Sequence, residues 1–189
     1  MRRRAEIERL DVAVYAAVAG TPTPSLDATM AQLAKAADYS GLSIASAAAL
    51  AIAGGANGRR AAVSGLGSVA ITAAVVNLAL KQIWRRPRPD RVGHEVPALR
   101  HVPMPRSRSF PSGHSAAAFA FAAGAGRDLP VASLPLHAQA AAIAYSRVHT
   151  GVHYPLDALA GSVLGTVLGQ ISSHGFDRLR RRRAAAKSR

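Results

Sequence analysis

The sequence predicts an all-α, integral membrane bundle of about six helices. Three observations carry that expectation. Of 189 residues, 49% are hydrophobic and only 5% aromatic, yet the formal net charge is +14. The basic residues are gathered in blocks at 2–4, 59–60, 81–108 and 178–189. Between the blocks lie long stretches of alanine, valine, leucine and glycine with almost no charge, the pattern of membrane spans separated by basic loops. The arginine-rich blocks hold the mean hydropathy to +0.11. The length suits one domain, residues 1–189, with neither a period-two strand pattern nor an internal repeat. Cysteine is absent, which excludes disulfides and thiolate metal sites.

The elements follow in order. MRRRAEIERLDVAVYAAVAG has a basic start like a signal peptide, but Glu6, Glu8 and Asp11 interrupt its apolar body. It reads as a short amphipathic helix, either a weak span or one lying at the interface. GTPTPSLD is a turn-rich linker, with Asp27 as an N-cap for a helix over 27–56. NGRR reads as a tight polar turn, and 61–84 as an apolar helix long enough to cross a bilayer. A loop rich in proline and arginine covers 85–111. Helices over 112–126 and 129–146 follow, and Pro155 opens the last helix at a position that tolerates proline. That helix carries Gly161, Gly165 and Gly169 on one face, a spacing that lets helices approach closely. They are expected to serve packing within the chain, with a homo-oligomer interface as the alternative. The basic tail, 178–189, reads as an anchor to acidic lipids at the cytoplasmic face.

SFPSGHS, residues 109–115, puts a turn and a histidine at the mouth of an apolar run. A helix N-terminus there would offer unpartnered N–H groups to an anion, and the histidine could move protons near neutral pH. A serine cap followed by a surface histidine is the plainer alternative. Two further polar blocks decide between them. KQIWRRPRP sets Lys81 seven residues before Arg88 and Pro89, and SRVHTGVHYPLD contains Ser146, Arg147, His153 and Asp157.

Together the three blocks resemble the signature of the type 2 phosphatidic acid phosphatase superfamily: K-x6-RP, then PSGH, then SR-x5-H-x3-D. The resemblance spans residues 81–157 and carries every signature residue in order. It implies a lipid phosphate hydrolase without metal or cofactor. His153 would be the nucleophile that forms a phosphohistidine, Asp157 would hold its other ring nitrogen, and His114 would protonate the leaving alkoxide. The residue types suit this chemistry, because phosphoryl transfer is mostly positioning and charge stabilisation. Lys81, Arg88 and Arg147 supply cations, while Ser112 and the Gly113 N–H add neutral donors.

The remaining polar residues take lesser parts. Arg85 and Arg86 read as interfacial anchors for lipid headgroups, and Arg106 and Arg108 as collectors of anionic substrate. His149, His153 and Asp157 stand four apart, which on a continuous helix would make a metal-binding face. Thr150-Gly151 and Pro155 break such a helix, so no metal is expected and His149 reads as a neighbour. Vanadate-dependent haloperoxidases are similar in these residues, but are large and soluble. A basic module binding membranes or nucleic acid would not need these histidines, so no nucleic-acid partner is expected. The substrate class stays open between polyprenyl-phosphate lipids and phosphatidic acid or phosphatidylglycerol phosphate. The basic blocks at 2–4, 59–60, 127 and 178–189 are expected on the cytoplasmic side, and both catalytic segments on the exoplasmic side.

Overall fold

The computed structural model describes residues 2–187, and these form seven helices, one more than the hydropathy pattern suggests. They are α1 (Arg2–Gly20), α2 (Pro24–Ala36), α3 (Gly41–Ala53), α4 (Gly55–Ala74), α5 (Gly113–Asp128), α6 (Ser133–His149) and α7 (Pro155–Lys187). Helix α4 continues through a π-helical turn, Val75–Leu80, into Lys81–Ile83. No strand occurs among the described residues.

The extra helix comes from a break inside the segment expected to be one helix over 27–56. Tyr39 and Ser40 adopt left-handed φ values of 54° and 61°, and the chain bends by 65° between α2 and α3. Neither proline nor a periodicity change marks this elbow. The NGRR turn is displaced as well. The reversal falls at Gly54-Gly55, where Gly55 has a φ of 57° open to glycine, and NGRR lies in the first turns of α4. A side chain at Gly58 would strike the Leu50 carbonyl of α3, so the tight α3–α4 crossing requires glycine there. The basic tail also differs: through residue 187 it continues α7, and residues 188–189 lie outside the described chain.

Helices α5 and α7 run parallel and form the centre. A Cβ on Gly161, Gly165 or Gly169 would meet the backbone carbonyls of Ser112, Ala116 and Ala120 in turn, so the glycine face is the seam on which α7 rests against α5. Helix α4 packs antiparallel, with Gly65 against Phe121 and Gly124 against Ser68. Alanine dominates the buried core, including Ala61, Ala116, Ala120, Ala122 and Ala125, which keeps the helices narrow and close. The outward faces are apolar too: Ile52, Val63, Leu78, Leu134, Val163 and Ile171 are exposed. Among the described residues one helix, Gly55–Ile83, is long and apolar enough to cross a membrane, and the bent pair of α2 and α3 passes the same test together.

The two ends of the bundle differ in chemistry. At one end Arg127 pairs with Asp177 at 2.7 Å, and Arg180 reaches both Asp128 and Asp177, which locks α5 to α7. The three motif blocks gather at the other end. Helix α1 lies across that end, where Arg4, Ile7 and Glu8 border a hollow with Trp84, Arg85 and Phe110. Arg2–Arg4 therefore do not sit opposite the motifs, as a spanning first helix would require. Arg100, fully buried, ties α1 and α2 to this end: it donates to Asp27 at 2.8 Å and to the carbonyls of Val18, Ala19 and Thr21.

The seam makes a measurable demand. Gly165→Val forces two methyls onto the Ala116 backbone, and overpacking of this kind costs about 1–3 kcal/mol. The thermal midpoint in detergent should fall by several degrees, while Ser162→Ala on the same helix should change it little.

Candidate active site

His153 follows α6 in the loop that turns the chain into α7, and it is buried. Its Nε2 lies 3.2 Å from an Arg88 guanidinium nitrogen, which can only donate. Nε2 is therefore the ring's acceptor, and Nδ1 carries the proton. Nδ1 faces the Ser109 hydroxyl at 3.3 Å and Asp157 Oδ2 at 3.5 Å. Ser109 in turn donates to Asp157 Oδ2 at 2.5 Å. A hydroxyl thus sits between ring and carboxylate, and the direct His–Asp contact is the longer one.

Burial pulls the His153 imidazole down to about 4, with the Arg88 charge adding to the effect and the Asp157 carboxylate opposing it. The ring is neutral at neutral pH, with its Nε2 lone pair directed at the cationic group. Arg88 is held by Val152 O at 2.7 Å and Ser107 O at 2.9 Å. Burial lowers it to about 10, still charged at neutral pH.

Asp157 is fixed from several directions. It accepts from the Tyr154 N–H at 2.9 Å and from Arg86 at 2.8 Å, and its own carbonyl accepts the Ser112 N–H at 2.9 Å. Arg86 also pairs with Asp11 of α1 at 2.6 Å and stacks 4.1 Å from the Tyr154 ring centroid. This corrects the expectation for Arg86. It turns inward to the motif carboxylate and is no headgroup anchor, whereas Arg85 lines two surface hollows.

The PSGH turn sits beside this pair. Ser112 is buried and caps α5, its hydroxyl accepting from the Ser115 N–H at 3.4 Å and the Ser115 hydroxyl at 3.0 Å. Its side chain is thus engaged in the cap. Gly113 and His114 line a cavity of about 250 Å³ with Lys81, Asn77, Ser107 and the elbow residues Tyr39 and Ser40. Lys81 Nζ donates to Ser107 Oγ at 3.1 Å, and a Cβ on Gly113 would stand 3.5 Å from that nitrogen. His114 Nε2 contacts Asp38 Oδ1 at 3.0 Å. Arg147 shares the same oxygen at 3.2 Å and donates to the Ala34 carbonyl, while its buried Nε has no hydrogen-bond partner. All eight residues singled out from the sequence thus converge on one end of the bundle, with Arg147 turned toward the elbow.

His149 stands apart from the rest. Its Nε2 is 3.0 Å from Asp27, inside the Arg100 network. The residues that sequence reasoning missed are Ser109, Asp11 and Asp38. Ser109 stands inside the quoted SFPSGHS block, so its position was the available signal. The two aspartates lie far away in sequence, and no local spacing marks them.

A family model described as the PAP2 superfamily matches residues 61–181. The chain belongs to the PAP2 superfamily. Decaprenylphosphoryl-5-phosphoribose phosphatase of Mycobacterium tuberculosis is 37% identical over 122 residues, and that match covers 62% of this chain and 63% of the relative. The chain thus spans a little under two thirds of the length of the curated PAP2 relative it matches. The structure of LpxE from Aquifex aeolicus is similar with a TM-score of 0.69 and 27% identity, covering 86% of this chain and 94% of that one. A transmembrane PAP2-type phosphatidylglycerolphosphate phosphatase from Bacillus subtilis shares the fold, with a TM-score of 0.64, 24% identity and coverage of 92% and 87%.

The His153 geometry predicts a titration. Unfolded, the ring would take a proton near 6.5, whereas the fold resists protonation until about 4. Falling pH through that window therefore favours unfolding, and stability from the neutral ring is complete only above it. In detergent micelles the His153 imidazole signal should stay in its neutral position at pH 5.5. A midpoint above 6 would contradict the assigned tautomer and its burial.

Proposed function

We propose that this protein is a membrane-embedded lipid phosphate phosphatase working through a phosphohistidine. One observation carries the reading: the His153 Nε2 faces the Arg88 guanidinium, and its Nδ1 faces Ser109 and Asp157. A phosphate held by Arg88 and Lys81 would meet the Nε2 lone pair. Nε2 attacks phosphorus, the bond to the alkoxide breaks, and His114 gives the alkoxide a proton. The charge that develops on His153 is met by Asp157 through Ser109, and water then releases phosphate. Arg88, Lys81, Arg147 and the Gly113 N–H are assigned to the phosphoryl oxygens, and Ser112 to the turn that presents that N–H.

Cationic side chains stand where a divalent ion would otherwise be needed, so the reaction is assigned no metal. His153→Ala should lower turnover by at least about 10³-fold. Acid-quenched enzyme should carry phosphate on His153. Activity should survive excess chelator, and vanadate should inhibit. Full activity in His153→Ala, or loss on chelation restored by zinc, would overturn the mechanism.

The substrate is assigned as a polyprenyl-phosphate lipid bearing a terminal phosphate, on the strength of the 37% identity to decaprenylphosphoryl-5-phosphoribose phosphatase. Phosphatidic acid and phosphatidylglycerol phosphate are the second class. Arg85, Arg106 and Arg108 border a basic hollow of about 420 Å³ beside Lys81, suited to drawing in an anionic headgroup. Phosphate release from a panel of these lipids in detergent tests the assignment, and equal rates on all of them would remove it.

The exposed apolar faces favour a bilayer around α3 to α7, with α1 lying along its surface. Arg59, Arg60, Arg127 and Arg178 then share the cytoplasmic end, and the active site faces the exoplasmic side with α1. The chain has no cysteine, so single cysteines report topology cleanly. Val92→Cys should react with a membrane-impermeant thiol reagent in intact cells, and Asn57→Cys and Ala184→Cys should not. The reverse pattern would place the site in the cytoplasm.

A further inference from the structure

We propose that Asp38, at the elbow between α2 and α3, is the positioning residue for the acid that protonates the leaving group; this rests on the phosphatase reading above. Burial disfavours the charged His114 ring most, and four groups add to that: Arg147 of α6, His153 of the following loop, Lys81 at the end of α4 and Arg88 of the loop after it. All are cations when protonated, and such a setting expels a proton from an imidazole. A general acid must keep its proton until the alkoxide needs it. Asp38 is the one carboxylate within ion-pair distance of His114 among the described residues, with Oδ1 at 3.0 Å from Nε2. Tyr39 and Ser40, which line the same cavity, bring only neutral hydroxyls.

The carboxylate also fixes which nitrogen reacts. Asp38 faces Nε2, and its charge favours a proton on that nitrogen throughout. Nδ1 is left for the substrate. Its proton passes to the alkoxide oxygen as the P–O bond breaks, and the ring that remains is neutral with Nε2–H still on Asp38. The same Asp38 oxygen lies 3.2 Å from Arg147, a contact that an asparagine oxygen at this position can keep.

The backbone supports a dedicated role. Asp38 immediately precedes two non-glycine residues with φ of 54° and 61°, conformations that side-chain-bearing residues adopt at a cost and that the surrounding fold must hold in place. The resulting bend of 65° brings Asp38 back over the start of α5. A straight helix over this segment would carry it past His114. The two histidines of the site thus each have a carboxylate: Asp157 serves the neutral nucleophile through a hydroxyl, and Asp38 serves the acid directly.

The test compares leaving groups. An alkyl phosphate lipid needs a proton on departure, whereas 4-nitrophenyl phosphate departs as a stable phenolate. In Asp38→Asn, turnover of the lipid should fall by about 10²-fold, the scale of general-acid help, and turnover of the aryl ester should stay within about threefold. The alkaline limb of the lipid pH–rate profile should move to lower pH. Asp38→Glu, which keeps the charge, should recover most of the lipid activity and the wild-type limb. Equal loss on both esters, no loss on either, or an Asp38→Glu variant as slow as Asp38→Asn on the lipid would overturn the proposal. Wild-type protein that releases phosphate from neither ester would instead remove the phosphatase reading, and this role with it.

Discussion

The buried Asp157 carboxylate takes hydrogen bonds from Ser109, from the Tyr154 N–H and from Arg86, and the residue's own carbonyl takes the Ser112 N–H. Every polar block of the sequence therefore ends on this one residue. Ser109 and Ser112 come from the PSGH segment, Arg86 from the basic loop, and Tyr154 from the third block. Asp11, through Arg86 and through the Leu156 N–H at 2.8 Å, adds the first helix. Burying an anion is costly unless charge and hydrogen bonds compensate. Here the compensation comes from segments remote in sequence, so the ion can be satisfied only when all of them are assembled. The arrangement of the motif residues and the folded state of this end depend on the same bonds.

The apolar half of the molecule sets the distances that Asp157 exploits. The glycine seam lets α7 rest on the backbone of α5 at Ser112, Ala116 and Ala120. Asp157 lies one turn before Gly161, and Ser112 is the cap of α5, so the seam's first contact fixes the separation of the PSGH turn from the Asp157 carboxylate. A larger residue anywhere along the seam would push the helices apart where an N–H must meet a carbonyl. Packing between these helices and orientation of the motif residues are in this sense one constraint.

Much of this was legible in the sequence, and the reason is locality. Lys81 and Arg88 flank one helix end, PSGH is a single turn, and His153 and Asp157 straddle a proline that starts a helix. Spacing within a turn or helix end reports geometry directly. The elbow at residues 38–40 left no such trace, because nothing in DYSG forbids a helix and the bend is imposed by what α2 and α3 pack against. Arg86 was misread for a related reason. A basic residue in a loop looks solvated until a distant carboxylate claims it, and both of its carboxylates, Asp11 and Asp157, belong to other elements.

The partners that stayed hidden share a pattern that spacing alone cannot reveal. Asp11, Asp27 and Asp38 are three of the few acidic residues in a chain with 10 acidic and 24 basic side chains. All three are turned toward motif-end arginines or histidines: Asp11 to Arg86, Asp27 to Arg100 and His149, Asp38 to Arg147 and His114. With so large a cationic excess, an acidic residue in an apolar helix is costly unless it neutralises something specific. Its scarcity is then the signal, because a lone aspartate ahead of an alanine-rich span has to be paired. The N-terminal third, outside the matched 61–181 segment, supplies all three. It reaches His114 and Arg147 through Asp38, and Asp157 through Asp11 and Arg86.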